Sequence, residues 1–427
     1  MPATSRTSKI LRYTLIGVIV LSLAGLLSWY FFLRNQGDVL RTQDEGRGAG
    51  IAPPSFGGII GSTYDNIVES ISSLANGNSA EAPAQPPRLW QITKTPVAGM
   101  GFVSPEFGTA SSTARNVLYT VRFVERGTGY VFDANPASGA LTRLTNTLVP
   151  RVYEAFVGIN GTLILRGLDE DTSFVMTSAG LATSTPTSIK EPAALSLITL
   201  PQDIRELVLS PSGEEVLYLI EQSPGFSVVR SAWNGGDSER VMKVGVSGWQ
   251  IRWLSDDRII LTQHTADGTS AHVYALESGR LVPLIPGGGA LTLLPRAGSP
   301  AILYGSVSGN AALAARIDEK TSAVPIPVWT TTDKCVWAPG TELVAYCAVP
   351  RVLPSAENVR AKLRGEIYSS DTWWRIDVRA GRAESMYDPG GNADIDVENP
   401  MIDAGGNYIA FTSARDKTLW VLRIGEE

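Results

Sequence analysis

Hydrophobic and polar positions divide the 427-residue chain into three stretches of different character. Residues 13–33 form an apolar run of 21 residues without a charge, with Leu15-Ile16-Gly17-Val18-Ile19-Val20-Leu21 at its centre. As a helix this run rises about 30 Å, the thickness of a bilayer's hydrocarbon layer. Trp29 and Tyr30 at its far end, and Tyr13 at its near end, suit the two interfacial belts of a membrane. The run therefore predicts a transmembrane helix. A cleaved signal peptide is the alternative, but its apolar stretch is shorter and ends in small residues, and no Ala-x-Ala follows here. Arg6, Lys9 and Arg12 crowd the tail 1–12, whereas only Arg34 lies close behind the span. The expected topology is single-pass in the cytoplasmic membrane, with the N-terminus inside and the chain after residue 33 outside.

Residues 34–87 lose the apolar pattern. Gly46-Arg47-Gly48-Ala49-Gly50, Pro53-Pro54 and Ala82-Pro83-Ala84-Gln85-Pro86-Pro87 predict a flexible stalk, because such composition buries too little apolar surface to offset ordering. Ile67, Val68, Ile71 and Leu74 fall at helical spacing and predict at most one short helix over 65–74.

From residue 88 to 427 the pattern changes again. Short apolar or alternating runs such as Glu215-Val216-Leu217-Tyr218-Leu219-Ile220 and Arg258-Ile259-Ile260-Leu261-Thr262 alternate with turn clusters, the signal of successive strands. One unit recurs: an apolar residue, a turn, then a strand whose aromatic lies nine positions on, as in Leu209 to Tyr218, Trp337 to Tyr346 and Ile402 to Phe411. Gly139, Gly180, Gly236, Gly279 and Gly381 read as turn glycines after a later strand. A period of about 40–45 residues with four strands per unit predicts a β-propeller. Residues 95–425 hold seven such units, with six or eight blades as alternatives. The last unit has room for only three strands, so Arg88-Leu89-Trp90-Gln91-Ile92 is expected to supply the fourth and close the ring. The best helix candidate lies near 355–363.

Charge narrows the function. The chain has 36 basic and 42 acidic residues, net −6, with no positive excess for phosphates, so nucleic acid is not an expected partner. Residues 1–87 carry six residues of each sign, which leaves the whole negative balance on 88–427. Charged residues make up 18%, below the roughly 25% of a typical soluble domain; turn residues take their place.

The recurring units resemble the WD40-like repeats of the TolB-type propeller group, whose core runs apolar-Ser-Pro-Asp-Gly, two polar residues, then aliphatic-Ala-aromatic. Leu209-Ser210-Pro211-Ser212-Gly213 follows that core with Ser212 in place of Asp, while 337–346 and 402–411 keep the outline and lose part of the turn. No Trp-Asp dipeptide occurs. Over 88–427 the chain is similar to bacterial single-pass, membrane-anchored propeller proteins. The resemblance implies the fold and no particular activity, since propellers host many unrelated ones.

Candidate chemistry is sparse. The two histidines, His264 and His272, flank a turn centred on Gly268 and are expected to face each other on a hairpin, with no third metal ligand evident. Cys335 and Cys347 lie on two strands joined by a turn. Opposed positions in such a hairpin are within disulfide reach, and an even cysteine count on an exported domain favours the bond; two separate thiols are the alternative. The acidic runs Asp169-Glu170-Asp171 and Asp394-Ile395-Asp396-Val397-Glu398 lack the ligand spacing of a calcium loop and read as solvated turns. No nucleophile elbow, phosphate-binding glycine loop or zinc-protease motif is present. No catalytic residue, metal site or cofactor is therefore expected. Trp373 and Trp374 are expected to split between core and surface.

The informative feature is an insertion at 349–370 between the second and third strands of one blade. Arg351, Arg360, Lys362 and Arg364 outweigh Glu357 and Glu366 there. These four cations are the expected partner-binding residues, and a protein, a peptide or an envelope polymer the expected partner. The reading favours a non-enzymatic interaction or scaffold module; a channel-site hydrolase or lyase and a small-ligand sensor are the alternatives.

Overall fold

A computed structural model of the chain describes residues 86–427, apart from 105–118, 169–174, 183–191, 265–270 and a few segments of one to three residues. The expected membrane helix and the expected stalk up to residue 85 lie outside the described residues. Among the described residues no helix is long and apolar enough to cross a membrane.

The alternating runs become seven four-stranded antiparallel sheets. Six are built from consecutive strands: blade 1 (97–143), blade 2 (152–199), blade 3 (204–244), blade 4 (249–288), blade 5 (290–326) and blade 6 (335–387). Blade 7 combines three C-terminal strands within 397–423 with the N-terminal strand Leu89–Gln91. Leu89 pairs with Leu422 and Gln91 with Trp420, and the Arg88 guanidinium donates to the carbonyls of Arg423 and Ile424. The outer edge of the last sheet is thereby covered.

The first strands of blades 1 and 2, of 3 and 4, of 6 and 7, and of 7 and 1 touch, which places them toward the ring's interior. Between blades 1 and 2 the approach is so close that a Cβ on Gly99 would overlap the carbonyl oxygen of Ala155. The cores lie between blades. Trp373 of blade 6 packs on Phe411 of blade 7, with ring centroids 5.4 Å apart, while Trp374 is half-buried and donates to the Thr372 hydroxyl.

The recurring unit has a local cause. Leu209, Trp337 and Ile402 end the first strands of blades 3, 6 and 7. Gly213, Gly340 and Gly406 take the turn at φ 76, 87 and 73°, a conformation glycine adopts without steric cost. The polar residue opening the turn caps it: Ser210 Oγ accepts from the Glu215 N–H at 3.1 Å and Asp403 Oδ1 from the Tyr408 N–H at 2.7 Å. The aromatics then point into the cores, with Tyr218 and Phe411 buried.

Two expectations are corrected. Gly180 is not a turn residue: it lies inside the strand Val175–Leu181, where a Cβ would press on the side chains of Leu195 and Leu197. The histidines are not cross-strand partners. The register opposes Gln263 to His272 and His264 to Ala271, and a one-residue offset changes the face of the sheet.

Candidate functional site

Each first strand begins on the face where the second-to-third connections emerge, because antiparallel strands alternate ends. Four such segments meet over blades 6 and 7. They are the insertion, the 3-10 turn Thr332–Lys334 entering blade 6, residues 394–396 entering blade 7, and the turn 414–417 within blade 7. Between them lies a cavity of about 810 Å³. Its wall carries Lys334, Arg351, Lys362, Arg364, Arg415 and Lys417 against Asp333, Asp394, Asp396 and Glu398, a local positive balance on a negative domain.

A buried ionic cluster forms the floor. Lys334 Nζ donates to Asp371, to Asp396 Oδ1 at 2.6 Å and to Ser369 Oγ at 2.8 Å. The side chains of Lys334, Asp371 and Asp396 are 1%, 1% and 0% exposed. Backbone donors complete it: the Val397 N–H bonds Asp371 at 2.8 Å and the Ser369 N–H bonds Asp396 at 3.0 Å. Lys362, on the insertion helix Ala356–Leu363, reaches the same Asp396 Oδ1 at 3.0 Å. Two ammonium groups thus share one carboxylate oxygen.

The charges respond accordingly. Burial pulls the Lys334 ammonium toward deprotonation, but Asp371 and Asp396 outweigh it and raise its pKa. Lys362 goes the other way, because burial and then the Lys334 ammonium lower its pKa more than Asp333 and Asp396 raise it. Burial alone would raise Asp396, yet Lys334 and Lys362 hold it at about 2.

The insertion runs from 351 to 370, since the flanking strands include Pro350 and Asp371. Three of the four expected cations line the cavity. Arg351 makes a two-pronged pair with Asp388, Nη1 lying 3.0 Å from Oδ2. Arg364 grips Glu366 with Nε at 2.6 Å from Oε1 and Nη2 at 2.8 Å from Oε2. Arg360 lies on the helix, and its side chain is outside those described. The structure joins Cys335 to Cys347 by a buried disulfide across an opposed strand pair, Cα atoms 4.1 Å apart, directly after Lys334.

The run 394–398 is not a solvated turn. Ile395, Asp396 and Val397 are buried, because this segment enters the first strand of blade 7 and Asp396 meets two lysines. Asp394 and Glu398, two positions away on either side, pair with Arg415 at 2.7 Å and Lys417 at 2.6 Å. The run 169–171 lies outside the described residues. The alternation of acid and apolar residues was a signal for a strand entry, not a turn. Lys334, Asp371 and Arg415 carried no local signal.

A second titratable group is formed by Glu154, Glu206 and Arg252 on the first strands of blades 2 to 4 and Arg166 on the second strand of blade 2. Glu206 sits near Glu154, Arg166 and Arg252, and burial followed by the Glu154 carboxylate pushes its pKa up to about 7 against the two arginines. Arg166 Nη1 bonds Glu154 at 2.5 Å and Nη2 bonds the carbonyl of Ile204 at 2.7 Å. Among the described residues no group of three or more His, Cys, Asp or Glu forms a metal-binding cluster.

No known protein family matches the chain in sequence, nor does any curated protein. Solved structures similar to it include an oligogalacturonate lyase from Vibrio parahaemolyticus, at 9% identity, over 79% of this chain and 94% of that one, TM-score 0.49. The WD40 domain of Neurospora crassa Pan2 is 12% identical over 81% of this chain and 97% of its own, TM-score 0.48. The β-propeller domain of the trilobed protease from Pyrococcus furiosus, of open velcro topology, is 9% identical over 73% and 93%, TM-score 0.47. The likeness is one of fold alone, and by its own sheet order the chain is an all-β, seven-bladed β-propeller.

Proposed function

We propose that this chain is a membrane-anchored, extracytoplasmic propeller of the TolB-type group that acts as a non-enzymatic interaction module of the bacterial cell envelope. The observation that carries the reading is the insertion helix seated on the buried Lys334–Asp371–Asp396 cluster, which walls a cavity on one face of the ring. A loop merely tolerated by the fold has no need of a fixed ionic seat in the scaffold beneath it. The apolar run 13–33 and the charge placement around it support the anchor and its orientation. The test is crosslinking and pull-down of the full chain from its native membrane, beside a variant in which 351–370 is replaced by a short turn. Loss of a specific partner supports the reading, and an unchanged partner set removes it. A second reading, acid–base chemistry in the ring's interior, is favoured by one observation, the near-neutral Glu206 beside Glu154 and Arg166. Partner capture unaffected by Glu206→Gln, with loss of a turnover, would select it.

A further inference from the structure

The wall of the cavity combines two features. The first is cations held by weak or divided partners. Arg351 and Arg364 pair with Asp388 and Glu366, which lie outside the cavity wall. Both pairs are solvent-exposed, and water screens such pairs so that they contribute little, which leaves an incoming carboxylate able to compete for them. Lys362 shares its carboxylate oxygen with Lys334. The second feature is exposed apolar surface on the same insertion: Val352, Ile367 and Tyr368 are 76%, 39% and 45% exposed and all border the cavity. Such side chains gain by being covered.

From this juxtaposition we infer that the cavity receives a polypeptide segment of a partner protein in which acidic residues alternate with apolar ones, its carboxylates meeting Lys362 and Arg351 and its apolar side chains covering Val352, Ile367 and Tyr368. A carboxylate matches the guanidinium fork, and charge-assisted bonds of this kind are the stronger ones. Apolar side chains beside the acid are what separate a polypeptide from an acidic polysaccharide, which offers hydroxyls to Val352 and Ile367. The inference rests on the proposed role of this face as the docking surface and specifies its occupant.

The test uses the full chain in detergent and a fluorescein-labelled decapeptide of alternating glutamate and leucine. Three comparison probes are the glutamine–leucine and glutamate–serine versions of the peptide and a labelled oligo-uronide. Fluorescence anisotropy should show saturable binding of the glutamate–leucine peptide, weakened about tenfold or more when glutamine replaces glutamate, the worth of one to two charge-assisted bonds. The glutamate–serine peptide should be weakened similarly. Lys362→Gln should weaken the first peptide about tenfold and leave the glutamine peptide unchanged, Lys362→Arg should restore binding, and Lys243→Gln on an outer strand should have no effect. The peptide comparisons need no variant, so they stand even if a substitution unfolds the insertion. Equal binding of glutamate and glutamine peptides overturns the inference, as does binding of the oligo-uronide alone or indifference to Lys362→Gln. If membrane pull-down still depends on the insertion while these peptides fail, the docking face stands and its proposed occupant falls.

Discussion

Replacing Lys334 by methionine probes the cluster on which the insertion rests. Methionine keeps much of the side-chain volume and removes the charge. Asp396 would retain Lys362 at 3.0 Å and the Ser369 N–H at 3.0 Å. Asp371 would retain the Val397 N–H at 2.8 Å and no cation among the contacts described above, while remaining 1% exposed. Removing one partner of a buried ion pair costs about 3–5 kcal/mol, because the remaining charge stays desolvated. A second variant, Lys334→Met with Asp371→Asn, removes one charge of each sign and leaves Asp396 with Lys362. Its cost should fall to about 1–2 kcal/mol, since replacing a whole buried pair is far less harmful than breaking it. The second substitution should therefore recover about 2 kcal/mol of what the first one costs. Urea unfolding of the full chain followed by tryptophan fluorescence gives these differences as midpoint shifts at constant slope. A single variant within about 1 kcal/mol of the parent, or a double variant worse than the single, would refute a buried, ionised cluster.

Further outcomes follow from other parts of the ring. Glu206 has a folded pKa of about 7 against an ordinary 4.5. Its stabilising contribution is thus complete below pH 4.5 and lost as pH rises to about 7. Glu206→Gln should be neutral in stability near pH 4 and stabilising above pH 7, by up to about 3 kcal/mol at about 1.4 kcal/mol per pH unit; an effect equal at both pH values contradicts the assigned burial. Gly99→Ala, forced against the Ala155 carbonyl, should cost about 1–3 kcal/mol or more, whereas Gly245→Ala meets nothing within 4 Å and should change thermal stability little. The disulfide spans a sequence separation of 12, so converting both cysteines to alanine should cost about 3 kcal/mol; non-reducing peptide mapping and urea midpoints with and without reductant check it.

The architecture was legible because its signals are local and repeated. The turns after the first strands of blades 3 and 7 pair a capping oxygen with a glycine at positive φ, as at Ser210–Gly213 and Asp403–Gly406, and blade 6 keeps the glycine, Gly340, with Ala338 at the capping position. Closure could be read from the missing fourth strand and the spare run at 88–92. The insertion helix was visible at 355–363, and Arg351, Lys362 and Arg364, read from the sequence as partner-binding, line the cavity. The ionic floor was not legible. Lys334, Asp371 and Asp396 stand 37 and 62 positions apart from the lysine, each at the mouth of a strand, and only the stacking of blades 6 and 7 brings them together. Composition also misled, because three acids within five residues look solvated until two lysines from elsewhere are known to meet the middle one. Gly180 failed for a related reason: small residues serve close packing as readily as turns.

The central claim is that the face over blades 6 and 7 receives the partner. A photo-crosslinking amino acid at Val352, exposed on that face, is the direct measurement, with the same group at Asn234 in a third-to-fourth-strand turn on the opposite face as comparison. The full chain, irradiated in its native membrane, should yield a discrete adduct from position 352 and none of that mass from position 234. The same adduct from both positions, or one from 234 alone, would contradict the account.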